Sequence, residues 1–318
     1  MDIWSTHQSR QFGKTFWFNE RTGISTWHDP QLKHRVLYSS KPARETGAEE
    51  PKATVGLRRF HNWIKAVAIA RAYNHASATG SASRVLDLAC GRGGDLLKIN
   101  ALGVTEYIGI DHSESALSEA RTRAASLPSE DAQHAFFCGD IRCPLASTIA
   151  PEGSFDVVMC MFGPHFAYSA RNHTVCFWEN VRRSLRPGGT FACIFPSRTA
   201  IEKLLNGQSY VAKSLFTVRR AGRDRVVFHV HGSTPQEPEP MAAPGDVCKD
   251  MLDAGLHVQF QGTPRTLRAR RDASVPSRAA MRCPERLNAA QWDLADLQCV
   301  IIASASDEPS ESSASLCK

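Results

Sequence analysis

Four carboxylates and one glycine-rich turn define the chemistry open to this sequence. Asp87 and Asp95 bracket the run Val85-Leu86-Asp87-Leu88-Ala89-Cys90-Gly91-Arg92-Gly93-Gly94-Asp95. Asp111 ends Gly109-Ile110-Asp111, and Asp140 ends Gly139-Asp140, each after an apolar stretch. Glycines at 91, 93 and 94 let the backbone turn tightly and approach a ligand closely. Their spacing is not the GxGxxG of a dinucleotide site, and an acid at Asp95 would repel a pyrophosphate. Acids around such a turn suit a ligand that carries positive charge. A carboxylate at Asp111 can accept both hydroxyls of a ribose.

Those residues need strand ends to hold them, and the chain supplies them in alternation. From residue 56, apolar stretches at 84–88, 107–111, 135–140, 155–161 and 190–195 predict strands buried on both faces. Helical spacing at 95–102, 113–126 and 172–185 separates them, with Ser113 as N-cap and Pro187-Gly188-Gly189 as a stop. Leu57 to Lys65 opens an amphipathic helix with Asn62 and Lys65 on one face. The expectation is an α/β fold around a doubly wound, mostly parallel sheet, with the ligand outside the carboxyl ends of the strands.

Composition excludes other classes. In 318 residues, 42% hydrophobic and 22% charged content argues against a wholly disordered chain. There is no run of about 18 apolar residues of the kind that spans a bilayer, and no secretory leader is expected. The ten cysteines include no CxxC pair, so they read as reduced thiols of cytosol or nucleus, and no His/Cys set has zinc spacing. Lys and Arg number 38 against 32 Asp and Glu, a net charge of +6 that suits a polyanionic ligand without requiring one.

Residues 1–31 differ from the rest: they hold Trp4, Trp17 and Trp27, half of the six tryptophans, with Phe12, Phe16 and Phe18. Alternation at Phe16-Trp17-Phe18 and the turn residues Asn19 to Gly23 predict a hairpin of two or three short strands. Trp4, Phe16-Trp17-Phe18-Asn19, Thr22, Ser25, Trp27 and Pro30 together resemble a WW domain. The resemblance implies a clasp between Trp4 and Pro30, and a groove at Phe16 and Trp27 for polyproline II peptides. Residues 32–55 read as a linker, 56–304 as the α/β domain and 305–318 as a disordered tail.

The glycine run, with its Asp-Leu-x-Cys-Gly-x-Gly-Gly pattern, resembles the first motif of class I methyltransferases, whose donor, S-adenosylmethionine, carries a sulfonium and an ammonium. Adding Asn62-Trp63-Ile64-Lys65, Met161-Phe162-Gly163-Pro164-His165-Phe166-Ala167-Tyr168 and Phe195-Pro196-Ser197, most of residues 56–304 is similar to the eukaryotic mRNA cap guanine-N7 methyltransferase family. The resemblance implies a seven-stranded sheet. It implies Lys65 on the donor's carboxylate, Asp95 on its amino group, Asp111 on the ribose and Asp140 on the adenine, with Asp87, Gly91 and Met161 also lining the cofactor site. It places His165, Phe166, Pro196, Glu239 and Gln298 around the cap guanine, although residues 232–245 read as a proline-rich loop. Arg92, Met161, Phe166 and Gln298 depart from the family's Lys, Gln, Tyr and Tyr.

The expected activity is an S-adenosylmethionine-dependent mRNA (guanine-N7)-methyltransferase acting on a capped RNA 5′ end. Guanine N7 has a lone pair and no proton, so proximity and orientation suffice, and no catalytic acid, base or metal is expected. Expected partners are that RNA and a proline-rich or Ser-Pro peptide, such as the tail of RNA polymerase II, on the WW-like module; the expected place is the nucleus, or else the cytoplasm. Two alternatives stay open: a class I methyltransferase for a small molecule, and a catalytically idle fold serving as a binding subunit. Arg265, Arg268, Arg270 and Arg271 form a basic cluster suited to phosphates or to solvent, and Cys90 reads as packing.

Overall fold

The computed structural model describes residues 4–8, 15–19, 24–26, 52–78, 82–127, 132–231, 237–269 and 287–306. The first three segments are short strands, β1 (Trp4–Gln8), β2 (Thr15–Asn19) and β3 (Ile24–Thr26), paired antiparallel in the order β1-β2-β3. The side chain of Phe16 and the whole of Trp27, expected to bind peptide, lie outside the described residues, as do Pro30 and the stretches 32–51 and 307–318.

The body opens with a long helix, α1 (Lys52–Ser77), which starts before the expected boundary at residue 56. Then come β4 (Arg84–Leu88), α2 (Leu96–Asn100), β5 (Glu106–Asp111), α3 (Glu114–Ala125), β6 (Gln133–Cys138) and β7 (Phe155–Met161). A 3-10 turn at Pro164–Ser169 leads to α4 (Arg171–Ser184), β8 (Leu185–Pro196) and α5 (Arg198–Leu205). Next are β9 (Tyr210–Ala212), β10 (Phe216–Arg220), β11 (Arg225–Val230) and β12 (Glu239–Pro240). The body closes with α6 (Pro244–Asp253), β13 (Leu256–Gly262), α7 (Pro264–Ala269), α8 (Ala289–Ala295) and β14 (Gln298–Ala305).

A seven-stranded sheet runs β13-β14-β8-β7-β4-β5-β6. β4 to β8 pair in parallel, while β14 lies antiparallel to both β8 and β13. Strand side chains alternate between faces with a period of two, and both faces are apolar. Leu86, Leu88, Val158, Phe191 and Cys193 point to the layer holding Phe177, Trp178 and Met251. Val85, Val157, Met159, Ala192 and Ile194 point to the layer of Phe60, Ile64 and Ile69 from α1. Each fully buried aliphatic or aromatic side chain of this kind stabilises the fold by roughly 1.5–3 kcal/mol. A second sheet, β12-β11-β10-β9, is antiparallel and packs Phe216, Val218, Val226 and Phe228 against Ile201, Leu205 and Leu57.

Several expectations change in detail. β6 is only partly buried because it is an edge strand, and it ends at Cys138, before Asp140. β8 begins at Leu185 and passes through Pro187-Gly188-Gly189, its register with β7 shifting there. A Cβ at Gly189 would lie 2.9 Å from the Arg186 carbonyl oxygen, which is why glycine sits in that bulge. α2 is shorter than expected, since Gly103 turns the chain at φ +77°. α1 is not amphipathic around its middle: residues 66–70 are all buried, with α1 covered by the sheet on one side and by α2, α7 and α8 elsewhere. Glu239 lies in a strand rather than in a loop, and the neighbouring proline is tolerated because β12 is an edge. Among the described residues no helix is long and apolar enough to cross a membrane.

Candidate functional site

The turn after β4 is held by the end of β5. Ala89, Gly91 and Gly93 have φ of +64°, +54° and +70°, the left-handed region. The Gly91 N–H donates to one oxygen of Asp111 at 2.8 Å, and the Ser113 N–H donates to the other at 2.9 Å. The buried Asp111 thus ties the glycine turn to the start of α3, where the Ser113 hydroxyl accepts from Ala116 N as the expected N-cap. A Cβ on Gly91 would meet nothing within 4 Å among the described residues, so open space adjoins the turn there.

Behind the turn lies a buried charge cluster. The ammonium groups of Lys65 and Lys98 each lie 2.8 Å from Oδ1 of Asp95. Burial pushes the Asp95 carboxyl upward, but the two ammonium charges outweigh it and hold it below the usual carboxylate range. Burial and Lys65 pull Lys98 down, against the pull of Asp95. Lys98 also donates to Gly94 O at 2.8 Å and to Asn62 Oδ1 at 3.3 Å, so Asn62 and Lys65 do face one way. Two cations on one carboxylate leave a positive surplus suited to an anionic group.

The other predicted cofactor residues have protein partners. Asp87 accepts from the Tyr107 hydroxyl at 2.7 Å; burial, then the charge of Asp95, pushes its carboxyl well above the usual range. Asp140 sits just past β6 and is gripped by Arg142, whose guanidinium reaches both oxygens at 2.7 to 3.1 Å. Burial would raise the Asp140 carboxyl, but these bonds and the charge of Arg142 bring it below its ordinary value. Met161 is buried at the end of β7. Cys90 packs on Gly109, and burial pushes its thiol up, as packing rather than reactivity requires.

The second half of the site starts at Phe162, whose φ is +65°. A Cβ on Gly163 would fall 2.8 Å from the Ala89 Cβ and 2.6 Å from Cys160 Sγ, so glycine lets this segment close onto the glycine turn. The 3-10 turn then buries His165, with its ring centroid 4.2 Å from that of Phe166. Nε2 of His165 lies 3.4 Å from Oε2 of Glu239 on β12, and among the described residues neither imidazole nitrogen has a hydrogen-bond partner. Pro196, the last residue of β8, stands opposite Gln298, the first of β14. Gln298 bonds His61 of α1 at 3.0 Å, and the His61 ring lies 5.4 Å from that of Phe162.

The fold therefore gathers Lys65, Asp87, Gly91, Asp95, Asp111 and Met161 at the ends of β4, β5 and β7. It brings His165 against Phe166 and Glu239, and pairs Pro196 with Gln298 at the end of β8. Lys98, Tyr107, Arg142, His61 and Phe162 were not singled out from the sequence. Two of them carried a local signal: Lys98 stands three residues after Asp95, and Arg142 two after Asp140. Of the basic cluster, Arg265 pairs with Asp296 at 2.7 Å and lies 4.2 Å from the Trp292 ring centroid, with Arg268 5.4 Å from the same centroid; Arg270 and Arg271 lie outside the described residues.

Comparison with known proteins gives the same outline. Residues 30–223 match the family model for the mRNA (guanine-N(7))-methyltransferase domain. The mRNA cap guanine-N(7) methyltransferase of Schizosaccharomyces pombe is 31% identical over 192 residues, covering 58% of this chain and 52% of that protein. mRNA cap guanine-N(7) methyltransferase 1 of Arabidopsis thaliana is 31% identical over 53% of this chain and 46% of its own length. The chain thus spans about half the length of these two relatives. Among solved structures, the CcbJ methyltransferase of Streptomyces caelestis is similar with a TM-score of 0.51 at 18% identity, over 74% of this chain and 89% of that one. An S-adenosylmethionine-dependent methyltransferase of Clostridium acetobutylicum gives 0.50 at 15% identity, over 76% and 92%. At such identities the likeness is one of fold.

Proposed function

The chain belongs to the mRNA (guanine-N(7))-methyltransferase family, and from that premise we propose that it transfers a methyl group from S-adenosylmethionine to N7 of the guanosine capping an RNA 5′ end. The observation that carries the reading is the closure of Gly163 onto Ala89. It joins a turn built for a charged, ribose-bearing ligand to a pocket that offers a buried imidazole and a carboxylate.

The residues present fit that donor. The open space at Gly91 leaves room beside Asp111 for a ribose. The surplus positive charge of Lys65 and Lys98 suits a carboxylate, and Asp95 an ammonium. Asp140 keeps acceptor capacity for an adenine amino group while Arg142 holds it in place. Asp87 supports from behind through Tyr107, and Met161 supplies apolar wall. When bound, S-adenosylmethionine supplies an electrophilic methyl on a sulfonium.

Glu239 accepts hydrogen bonds from the guanine N1–H and 2-amino group, an edge adenine does not have. His165 donates to the guanine carbonyl, and Phe166 and Pro196 fix the plane of the base. With no proton to remove from N7, alignment carries the rate, and an apolar, water-poor pocket favours spreading the sulfonium charge. A capped RNA is therefore the substrate, and the nucleus the expected place of action. The aromatic N-terminal strands support a second role as a WW-like module for proline-rich or Ser-Pro peptides, such as the polymerase II tail. Full-length protein should bind such a peptide, and Trp27→Ala should not.

The test of the main reading is transfer of labelled methyl to GpppRNA, pppRNA and free GTP. Label at guanine N7 that depends on the cap supports it. Donor binding without transfer to GpppRNA would turn it toward a small-molecule substrate. Absence of donor binding would leave the idle-fold alternative.

A further inference from the structure

Gln298 is 9% exposed, and its amide nitrogen lies 3.0 Å from Nε2 of His61. A primary amide nitrogen has donors and no acceptor, so the imidazole nitrogen must accept, and the ring proton sits on Nδ1. One neutral tautomer of His61 thereby fixes the orientation of the Gln298 amide. The other end of that amide, Oε1, is buried and has no hydrogen-bond partner among the described residues. A buried acceptor left without a donor is unfavourable unless a ligand supplies one.

The backbone gives this acceptor a direction. Gln298 opens β14 opposite Pro196, and Ser197 N donates to Leu297 O at 2.7 Å, so the pair is pinned at the carboxyl end of β8. Phe162 N donates to Ile194 O at 2.8 Å, which sets the Phe162 ring against His61 on the same side of the sheet. The acceptor therefore belongs to the pair Pro196 and Gln298 at the carboxyl end of β8.

We propose that His61 is a positioning residue for substrate recognition: it holds the Gln298 amide so that Oε1 accepts a hydrogen bond from a ribose hydroxyl of the guanosine being methylated. The inference rests on the cap reading above. In that reading Glu239 takes the N1–H and one hydrogen of the 2-amino group, so the donors of a guanosine that remain are the other 2-amino hydrogen and the ribose hydroxyls, and the deoxy caps below tell these apart.

The experiment compares KM and kcat on RNA capped with guanosine, 2′-deoxyguanosine or 3′-deoxyguanosine. Wild-type enzyme should show a KM about tenfold higher for one of the deoxy caps, with kcat little changed. Gln298→Ala should raise KM for the guanosine cap to that level and leave KM for the sensitive deoxy cap unaltered. His61→Leu should act in the same direction, and the double variant should be no worse than Gln298→Ala alone. His61→Gln, whose Oε1 can accept the amide hydrogen, should recover most of the loss. Donor affinity by calorimetry should stay constant in all variants, which separates this role from a general loosening of the fold. Equal KM for all three caps with wild-type enzyme, or additive effects of the two substitutions, would overturn the proposal while leaving cap methylation standing. Failure of wild-type enzyme to methylate any cap would remove both.

Discussion

Nε2 of His165 lies 3.4 Å from Oε2 of Glu239, with the histidine side chain 2% exposed and the glutamate 22%. One residue comes from the turn after β7 and the other from the edge of the small antiparallel sheet. The pair therefore exists only because the second sheet packs onto the first. Among the described residues neither nitrogen of His165 has a hydrogen-bond partner, which leaves buried polar atoms for a ligand to satisfy.

Replacing Glu239 by Gln keeps the size and removes the charge, so the N1–H and 2-amino edge of guanine loses one of its two acceptors. Glu239→Gln is expected to lower kcat/KM on GpppRNA by about 10- to 100-fold, the range for a hydrogen bond to a charged group. Steady-state kinetics beside calorimetry of donor binding checks this. Unchanged kcat/KM would take Glu239 out of the base pocket.

Two neighbouring glycines should fail differently. At Gly93, φ is +70° and a Cβ would sit 2.6 Å from Leu96 Cδ1 and 3.2 Å from the Ala120 backbone. Gly93→Ala should therefore destabilise the fold by about 2–4 kcal/mol, through strain and overpacking together. At Gly91 the φ of +54° is unfavourable for alanine, but nothing lies within 4 Å. Gly91→Ala should lose only about 1 kcal/mol of stability, yet weaken S-adenosylmethionine binding at least tenfold by filling the space beside Asp111. Thermal melts and calorimetry on the two variants decide it, and normal donor affinity in Gly91→Ala would place the donor elsewhere.

The parallel strands were legible because their composition is apolar on both faces, and β4 and β7 fall at the predicted residues. Asp111 was legible as a strand-end acid, and its bonds to Gly91 and Ser113 are local consequences of that position. Glu239 was obscured by the prolines around it, since nothing local says that an edge strand will recruit Pro240. Tyr107 on Asp87 follows from the face alternation of adjacent strands, which the sequence contains but only the register between β4 and β5 reveals. The His61–Gln298 bond joins the first helix of the body to its last strand. No spacing rule reaches that far.

Asp95 separates charge balance from donor recognition. It offsets part of the charge of two buried ammonium groups, Lys65 and Lys98, at 2.8 Å each. Asp95→Asn should lower stability by about 3–5 kcal/mol, because removing one partner leaves buried charge uncompensated. The double variant Asp95→Asn, Lys98→Met removes a charge of each sign and should regain part of that stability without regaining donor affinity. Urea unfolding and calorimetry measure the two quantities. Recovery of binding along with stability would make Asp95 a purely structural residue.

The neutral state of His61 has a consequence for acid stability. Burial, and then the charge of Lys65, push its imidazole down from 6.5 to about 4. In the unfolded chain the same ring titrates near its ordinary value of about 6.5. Between those values the unfolded state binds a proton that the folded state does not, so stability rises with pH across this window. The contribution is fully present above pH 6.5 and is lost as the pH falls toward 4. Its size is on the order of 2 kcal/mol once the partial solvent exposure of His61 is allowed for. His61→Gln removes the titration, so urea unfolding of wild type and variant between pH 7 and 4.5 should diverge as the pH falls. His134, also pushed down by burial, contributes the same slope to both proteins and cancels in the difference. Parallel curves would mean that His61 takes up its proton as readily in the folded protein as in the unfolded chain, and would remove this source of acid sensitivity.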